Sequence, residues 1–263
     1  MERSFGAADA VTVRIIGNKI HCFPSFQSLF AYVSADLEKG GSLGYITVNN
    51  VHTMMEGYLN KEYRQIIHNS YLAVPDGKPL EIVGKLKGVK NISRLFGPDL
   101  MEYFIDAGRS SGKKHFFIGS SEETLDALKA AIATTYPGTQ VAGTIAPPFA
   151  PMQEWSNQAY IDQINKAEAD FVWVGLGAPK QEKWMHEFAG HLNKGVMVGI
   201  GAGFDYMAGR TKHAPRWMKN ASLEWFYRLV QEPKRLWKRY FLTIPPFLLL
   251  AFFDVVSSRF RNT

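Results

Sequence analysis

The 263-residue chain contains one cysteine, Cys22. A lone thiol can make no internal disulfide and offers no metal-ligand spacing, so the composition fits a reducing compartment, with Cys22 as buried packing. No Asp-x-Asp occurs, and the seven histidines do not cluster at ligand spacing. A divalent-metal site is therefore unsupported. A Walker A motif is absent, and both glycine runs break the dinucleotide fingerprint. Lys180 stands where Gly175-x-Gly177 needs its third glycine, and Phe204 where Gly199-x-Gly201 needs its own. Met1 to Ala10 lacks a basic region followed by an apolar core, so no secretory signal is expected and the protein is expected to stay in the cytosol. No fixed-period repeat is present.

What is present is 46% hydrophobic residues, enough for a large core in one α/β domain with or without a small appendage. The net charge of +6 is unevenly placed: Arg210 to Arg239 holds nine Lys or Arg against two acidic residues. Just beyond it, Phe241 to Val256 is strongly apolar, but Pro245-Pro246 interrupts it and Asp254 lies inside it. A crossing helix needs roughly 20 apolar residues, so an interfacial or packed segment is expected.

Periodicity predicts a hairpin or edge strand over Val11–Ile20 turning at Gly17-Asn18, and a helix over Ser25–Lys39 ended by Gly40-Gly41. A strand ending at Val48, one helix from about His52 to Asn69, and a strand over Tyr71–Val74 follow. Pro79–Leu86 reads as a short helix, and Arg94–Asp99 as a loop into a helix over Leu100–Ser110. Further strands fall at His115–Ile118, Gln140–Ile145, Asp170–Val174 and Val196–Ile200, with helices between them. Such alternation predicts an α/β fold with a mostly parallel sheet flanked by helices.

In an open parallel sheet, ligands sit beyond the carboxyl ends of the strands. Two strand candidates end in polar clusters, Thr47-Val48-Asn49-Asn50 and Pro75-Asp76-Gly77. Thr47, Asn49 and Asp76 are therefore placed at one crevice. Asp-Gly is a common turn former; beside the neighbouring polar strand end, Asp76 is also the candidate base for an attacking hydroxyl. Gln181 reads as a helix cap or a ligand amide, and Arg94 as a partner of Asp99 or an anion contact. Gly119-Ser120-Ser121 opens a helix whose free amides suit a phosphate. Without metal, a diphosphate leaving group would need arginines and amides. Basic and aromatic residues interleave from Arg216 to Tyr240; a solvated face and a nucleic-acid patch are alternatives, but the apolar segment beside it suits an anionic membrane surface better.

These motifs resemble the WecG/TagA/CpsF family of bacterial glycosyltransferases from about Ile15 to Tyr240. The matching stretches include Thr47-Val-Asn49, Pro75-Asp76-Gly77, Arg94-x-x-Gly97-x-Asp99-Leu100 and Gly175-Leu-Gly-x-Pro179-Lys-Gln181-Glu182. Gly201-Ala-x-Phe204-Asp205, Ala214-Pro-x-Trp217, Glu224-Trp225-x-x-Arg228 and Glu232-Pro233-x-Arg235-Leu-x-x-Arg239-Tyr240 complete them. The resemblance implies a Rossmann-like core, residues 1–208, with a helical membrane-associating appendage, residues 209–263. It implies a cofactor-free, metal-independent, inverting transfer from a UDP-sugar to a saccharide on a polyprenyl diphosphate, by a protein peripheral to the cytoplasmic face of the membrane. Asp76 falls on the family's proposed base, Thr47, Asn49, Arg94 and Gln181 on its pocket, and Arg228, Arg235 and Arg239 on its appendage. UDP is expected against Gly119, Ser120 and Ser121 and against Gly201, Ala202, Gly203, Phe204 and Asp205. His213 departs from the arginine usual in the family before Ala-Pro. Members use N-acetylmannosamine, its uronic acid or glucose, and the motifs do not choose among these. On the residues alone, a nucleotide-dependent oxidoreductase and a membrane- or nucleic-acid-binding module remain as other readings. Nucleic acid is not an expected partner, whereas self-association in solution would cover apolar surface meant for a membrane.

Overall fold

The computed structural model describes residues 10–215, 217–218 and 223–260, and the side chain of Arg235 lies outside the described residues, as do Arg216 and residues 1–9. Six parallel strands form the main sheet in the order β4-β3-β8-β7-β5-β6. They are β3 (Ser42–Asn49), β4 (Leu72–Pro75), β5 (Lys114–Gly119), β6 (Gln140–Ile145), β7 (Phe171–Gly175) and β8 (Gly195–Gly199). Side chains alternate between two cores. Tyr45, Ala73, Phe116, Val172 and Met197 belong to one, and Ile46, Leu72, Phe117, Phe171 and Val196, each one residue on or back, to the other. The first core is closed by helices including α2 (Val51–Leu59), α3 (Lys61–Asn69), α4 (Lys78–Leu86), α7 (Asn157–Ala167) and α8 (Lys180–Phe188). The second is closed by α1 (Phe26–Leu37), α5 (Gly97–Gly108), α6 (Glu122–Thr135) and α9 (Gly203–Met207). This is the expected Rossmann-like α/β arrangement, buried on both faces as a parallel sheet must be.

The single helix expected over 52–69 is two. Asn60 ends α2, and its side chain accepts the Glu62 and Tyr63 N–H groups that open α3. Asparagine is a strong N-cap, and a local side-chain acceptor here outcompetes continuation of the helix. Helix α5 begins at Gly97, inside the stretch expected to be loop, with Pro98 in its first turn, where a missing N–H costs nothing.

The hairpin β1 (Thr12–Ile15) and β2 (Asn18–His21) turns at Ile16-Gly17, one residue earlier than expected. Both turn residues have positive φ, 43° and 82°, which is unusual for a β-branched residue. The strain is offset from the far end of the chain. The Ile16 N–H donates to Asp254 Oδ2 at 2.8 Å, and Ile16 itself is buried. The hairpin also covers the sheet edge: His21 Nδ1 accepts the otherwise open Ala73 N–H of β4 at 2.9 Å.

Asp254 lies on α11 (Pro233–Phe260), which follows α10 (Glu224–Gln231). The interruption expected at Pro245-Pro246 does not occur, and the helix runs through both prolines. Interior proline costs about 3 kcal/mol, and tertiary packing offsets it here. Leu236, Phe247, Ala251 and Val255 are buried, Asp254 pairs with Lys87 at 2.7 Å, and the opposite face exposes Phe241, Leu248, Leu249, Phe252 and Phe253. By length and composition alone, Leu236–Phe260 suffices to cross a membrane.

Two stability predictions arise. Asp254→Ala should lower the unfolding free energy by about 2–3 kcal/mol, since it removes a charge-assisted bond to a strained N–H and a half-buried ion pair; an unchanged urea midpoint would contradict it. The second concerns pH. His21 accepts from Ala73, and His115 Nδ1 accepts from Trp173 Nε1 at 3.1 Å, so both are held neutral, and burial pushes each down to about 4. The unfolded chain takes up protons below about 6.5 that the native state refuses, so stability should fall as pH drops from about 6.5 towards 4, by at most about 3 kcal/mol per histidine. Equal urea midpoints at pH 7 and pH 5 would refute it.

Candidate active site

All six parallel strands end at one edge of the sheet, and the polar residues gather there. Thr47 and Asn49 lie on β3, between β4 and β8, and both are fully buried. Asn49 Nδ2 donates to Thr47 O at 3.0 Å and Oγ1 at 2.9 Å, while Asn49 Oδ1 has no protein partner. Asp76 follows β4 directly. Its N–H continues the sheet pairing by donating to Asn49 O at 2.7 Å.

The loop before α5 wraps Asp76. Leu95 N–H donates to Pro75 O at 2.7 Å, which brings Gly97 N–H to Asp76 Oδ1 at 2.8 Å and Arg94 Nε to Asp76 O at 3.0 Å. Arg94 is seated over the Phe96 ring, 4.6 Å from its centroid. Burial raises the Asp76 pKa above its ordinary value; Arg94, the Gly97 amide and Arg228 pull it back, and Glu224 adds to the rise. A partly open carboxylate so placed is a proton acceptor with neighbouring donors in place.

The ion pair Arg94 makes is with Glu224, at 2.6 Å from Nη2 to Oε2. Glu224 is 3% exposed and is the single buried residue of α10. One turn on, Arg228 lies 5.8 Å from the Tyr206 ring centroid and near enough to Asp76 to act on its ionisation. Glu224 thus anchors α10 one turn from Arg228, whose charge bears on the candidate base. The residue types did not mark Glu224 for this role; its i, i+4 spacing from Arg228 was the available signal. Arg239 of α11 reaches the start of α2, where it adds to the burial that lowers His52 to about 4.

Gln181 caps no helix. Its Oε1 accepts the Gly201 N–H at 2.9 Å and its Nε2 donates to Glu182 Oε1 at 2.8 Å. Gly199, beside that amide, pairs in register with Thr47. Thr47, Asn49, Asp76, Arg94, Gln181, Gly201 and Arg228 therefore surround the ends of β4, β3 and β8. Gly119 and Ser120 lie across β7. Gly119 has φ of 128°, and a Cβ there would fall 2.5 Å from Gly175 O. Ser120 takes φ of 59°, and Ser121 caps α6 by accepting the Thr124 N–H. Ala202, Gly203, Phe204 and Asp205 form the turn into α9, but the Phe204 ring is buried in the core against Phe117 and Gly175, so it offers a ligand no side chain. His213, in the place of the expected arginine, packs against the Tyr206 ring in a tilted arrangement, 4.6 Å between centroids, and lies 3.6 Å from Glu102. Among the described residues, no group of three or more His, Cys, Asp or Glu is disposed to hold a metal ion.

The model of the glycosyl transferase WecG/TagA/CpsF family matches residues 13–261. The chain belongs to the WecG/TagA/CpsF family. As a glycosyltransferase of that family, it is 31% identical over 190 residues to the N-acetylglucosaminyldiphosphoundecaprenol N-acetyl-beta-D-mannosaminyltransferase of Bacillus subtilis strain 168, covering 72% of each chain. It is 30% identical over 224 residues to the protein of that name from Bacillus spizizenii strain W23, covering 85% of this chain and 83% of the relative.

Glu224→Ala should strand Arg94 and cost about 3 kcal/mol, the scale for breaking a buried pair from one side. It should also speed proteolysis within 223–232. A variant with native stability and unchanged cleavage would show that Glu224 does not hold α10.

Proposed function

We propose that this family member transfers a sugar, N-acetylmannosamine in the first instance, from its UDP conjugate to a saccharide carried on a polyprenyl diphosphate. The observation that carries the reading is Asp76, set at the end of β4 within the influence of Arg94 and Arg228, with the Gly97 N–H on its carboxylate. The names of the two Bacillus relatives support the sugar and the lipid-linked acceptor.

In this reading the Asp76 carboxylate takes the proton of the acceptor hydroxyl as that oxygen attacks the anomeric carbon from the side opposite the leaving group. One displacement inverts the centre. UDP departs with its new charge towards Arg228 and Arg239, with Arg235 a third candidate, and preorganised cations serve in place of a metal ion. Thr47, Asn49 and Gln181 orient the reacting sugars, and the loops at Gly119–Ser121 and Gly201–Asp205 take the nucleotide. Residues 209–263 act as an appendage that completes the site and meets the membrane. The exposed apolar face of α11, with exposed Trp225 and Trp237 beside it, suits the interface of the leaflet that faces the nucleotide-sugar pool, the cytoplasmic one. Away from lipid, that face favours self-association.

UDP release from a panel of UDP-sugars, with and without a polyprenyl-diphosphate-linked acceptor and in the presence of EDTA, tests the reading. Acceptor-dependent release from UDP-N-acetylmannosamine is expected, undiminished by EDTA. Asp76→Ala should cut it by about 100-fold or more with the fold intact, as loss of a general base does. In the wild type, kcat/KM should fall as pH drops through the raised Asp76 pKa, above the ordinary carboxylate range. An Asp76→Ala enzyme near the wild-type rate would remove Asp76 from the chemistry.

A further inference from the structure

Glu182, the third residue of α8, is 1% exposed. A carboxyl so deeply placed normally has a cationic partner, yet among the described residues no salt bridge reaches it. Burial pushes it up to about 7, eased by Gln181, its own main-chain N–H and Tyr63. Its Oε2 has no partner in hydrogen-bond geometry. Its one side-chain bond accepts from Gln181 Nε2 at 2.8 Å.

That bond has a directional consequence. The Gln181 amide is held at both ends by groups of opposite polarity: Gly201 N–H requires an acceptor, and Glu182 Oε1, whether the carboxyl is ionised or carries its proton on Oε2, requires a donor. With the amide reversed, its NH2 would confront the Gly201 N–H and its oxygen the carboxyl. The space is also tight, since a Cβ on Gly199 would lie 3.0 Å from Nε2. One N–H of the amide remains uncommitted, next to the β8 end that pairs with Thr47.

We propose that Glu182 is a positioning residue. It fixes the orientation of the Gln181 amide, and through it the Gly201 turn, so that the free N–H is presented to an oxygen of the sugar donor. The inference rests on Gln181 belonging to the donor pocket.

Glu182→Gln and Glu182→Leu separate this role from simple packing, because glutamine still offers a carbonyl to Gln181 whereas leucine offers nothing. Glu182→Met serves as the apolar variant should leucine fail to fold. The first readout needs no turnover: the side-chain amide resonances of Gln181, followed by NMR hydrogen exchange. Slow exchange is expected in the wild type and Glu182→Gln, and fast exchange with changed shifts in the apolar variant. The second is kinetic: kcat/KM for the UDP-sugar should fall about tenfold in the apolar variant, mainly through KM, and stay within about threefold in Glu182→Gln. The melting temperature of the apolar variant should be unchanged or higher, since an unpaired buried carboxyl has gone. A Gln181 amide unaltered by the apolar substitution, or equal kinetic loss in both variants, would overturn the proposal. Wild-type protein inactive on every UDP-sugar but with the expected exchange pattern would instead refute the transferase reading and leave the positioning of Gln181 established.

Discussion

A parallel sheet buried on both faces has its loops as the place for exposed polar chemistry, and here every strand delivers its carboxyl end to the same edge. The two cores follow from that constraint. Alternate residues of β3, β4, β5, β7 and β8 point to opposite layers of helices, which makes the interior strands stiff and leaves the turns beyond Asn49, Pro75, Gly175 and Gly199 to vary in chemistry. The outer edge of β4, like that of β6 at the other side, has no partner within the sheet. His21 and Leu95 meet its open groups, and the Leu95 bond draws the 94–97 loop around Asp76. Covering an edge strand and framing the candidate base are thus one structural act.

The site concentrates charge where water is scarce. Asp76, Glu182 and Glu224 are acidic groups withdrawn from solvent in different degrees, each handled differently. Asp76 has an amide and two nearby guanidinium groups, Glu224 has Arg94, and Glu182 has neutral groups alone, chiefly the Gln181 amide. Desolvation of a charge is costly unless it is paired, so the three differ in what they can do. The paired Glu224 serves to hold an element in place, the partly compensated Asp76 retains a proton affinity suited to base catalysis, and Glu182 sets the direction of a hydrogen bond.

The C-terminal region depends on the core as much as it adds to it. Asp254 interrupts the apolar run of α11 yet supplies an acceptor for the strained Ile16 N–H and a partner for Lys87. Those contacts seat one face of the helix on the core, and its exposed apolar face then lies along the protein, a disposition suited to meeting one leaflet from the side.

By itself, the sequence determined the strand–helix alternation, the parallel sheet, and the collection of Thr47, Asn49 and Asp76 at one edge. These depend on local periodicity and on chain direction, which neighbouring residues encode. It also carried the family, through ordered motifs spread from Thr47 to Tyr240. What only the tertiary structure decided are relations between distant segments: Arg94 with Glu224, 130 positions on, Ile16 with Asp254, 238 positions on, and the Gln181 amide between Gly201 and Glu182. The passage of α11 through Pro245-Pro246 belongs with them, since local propensity argues against it and burial of Phe247, Ala251 and Val255 overrides that preference. Asn60 shows the opposite case, a helix boundary written locally in a side-chain cap but hidden by an apolar period that continues across it. Periodicity reports which face is buried; whether a helix ends, and which charge answers which, depends on hydrogen bonds that form only once the segments have met.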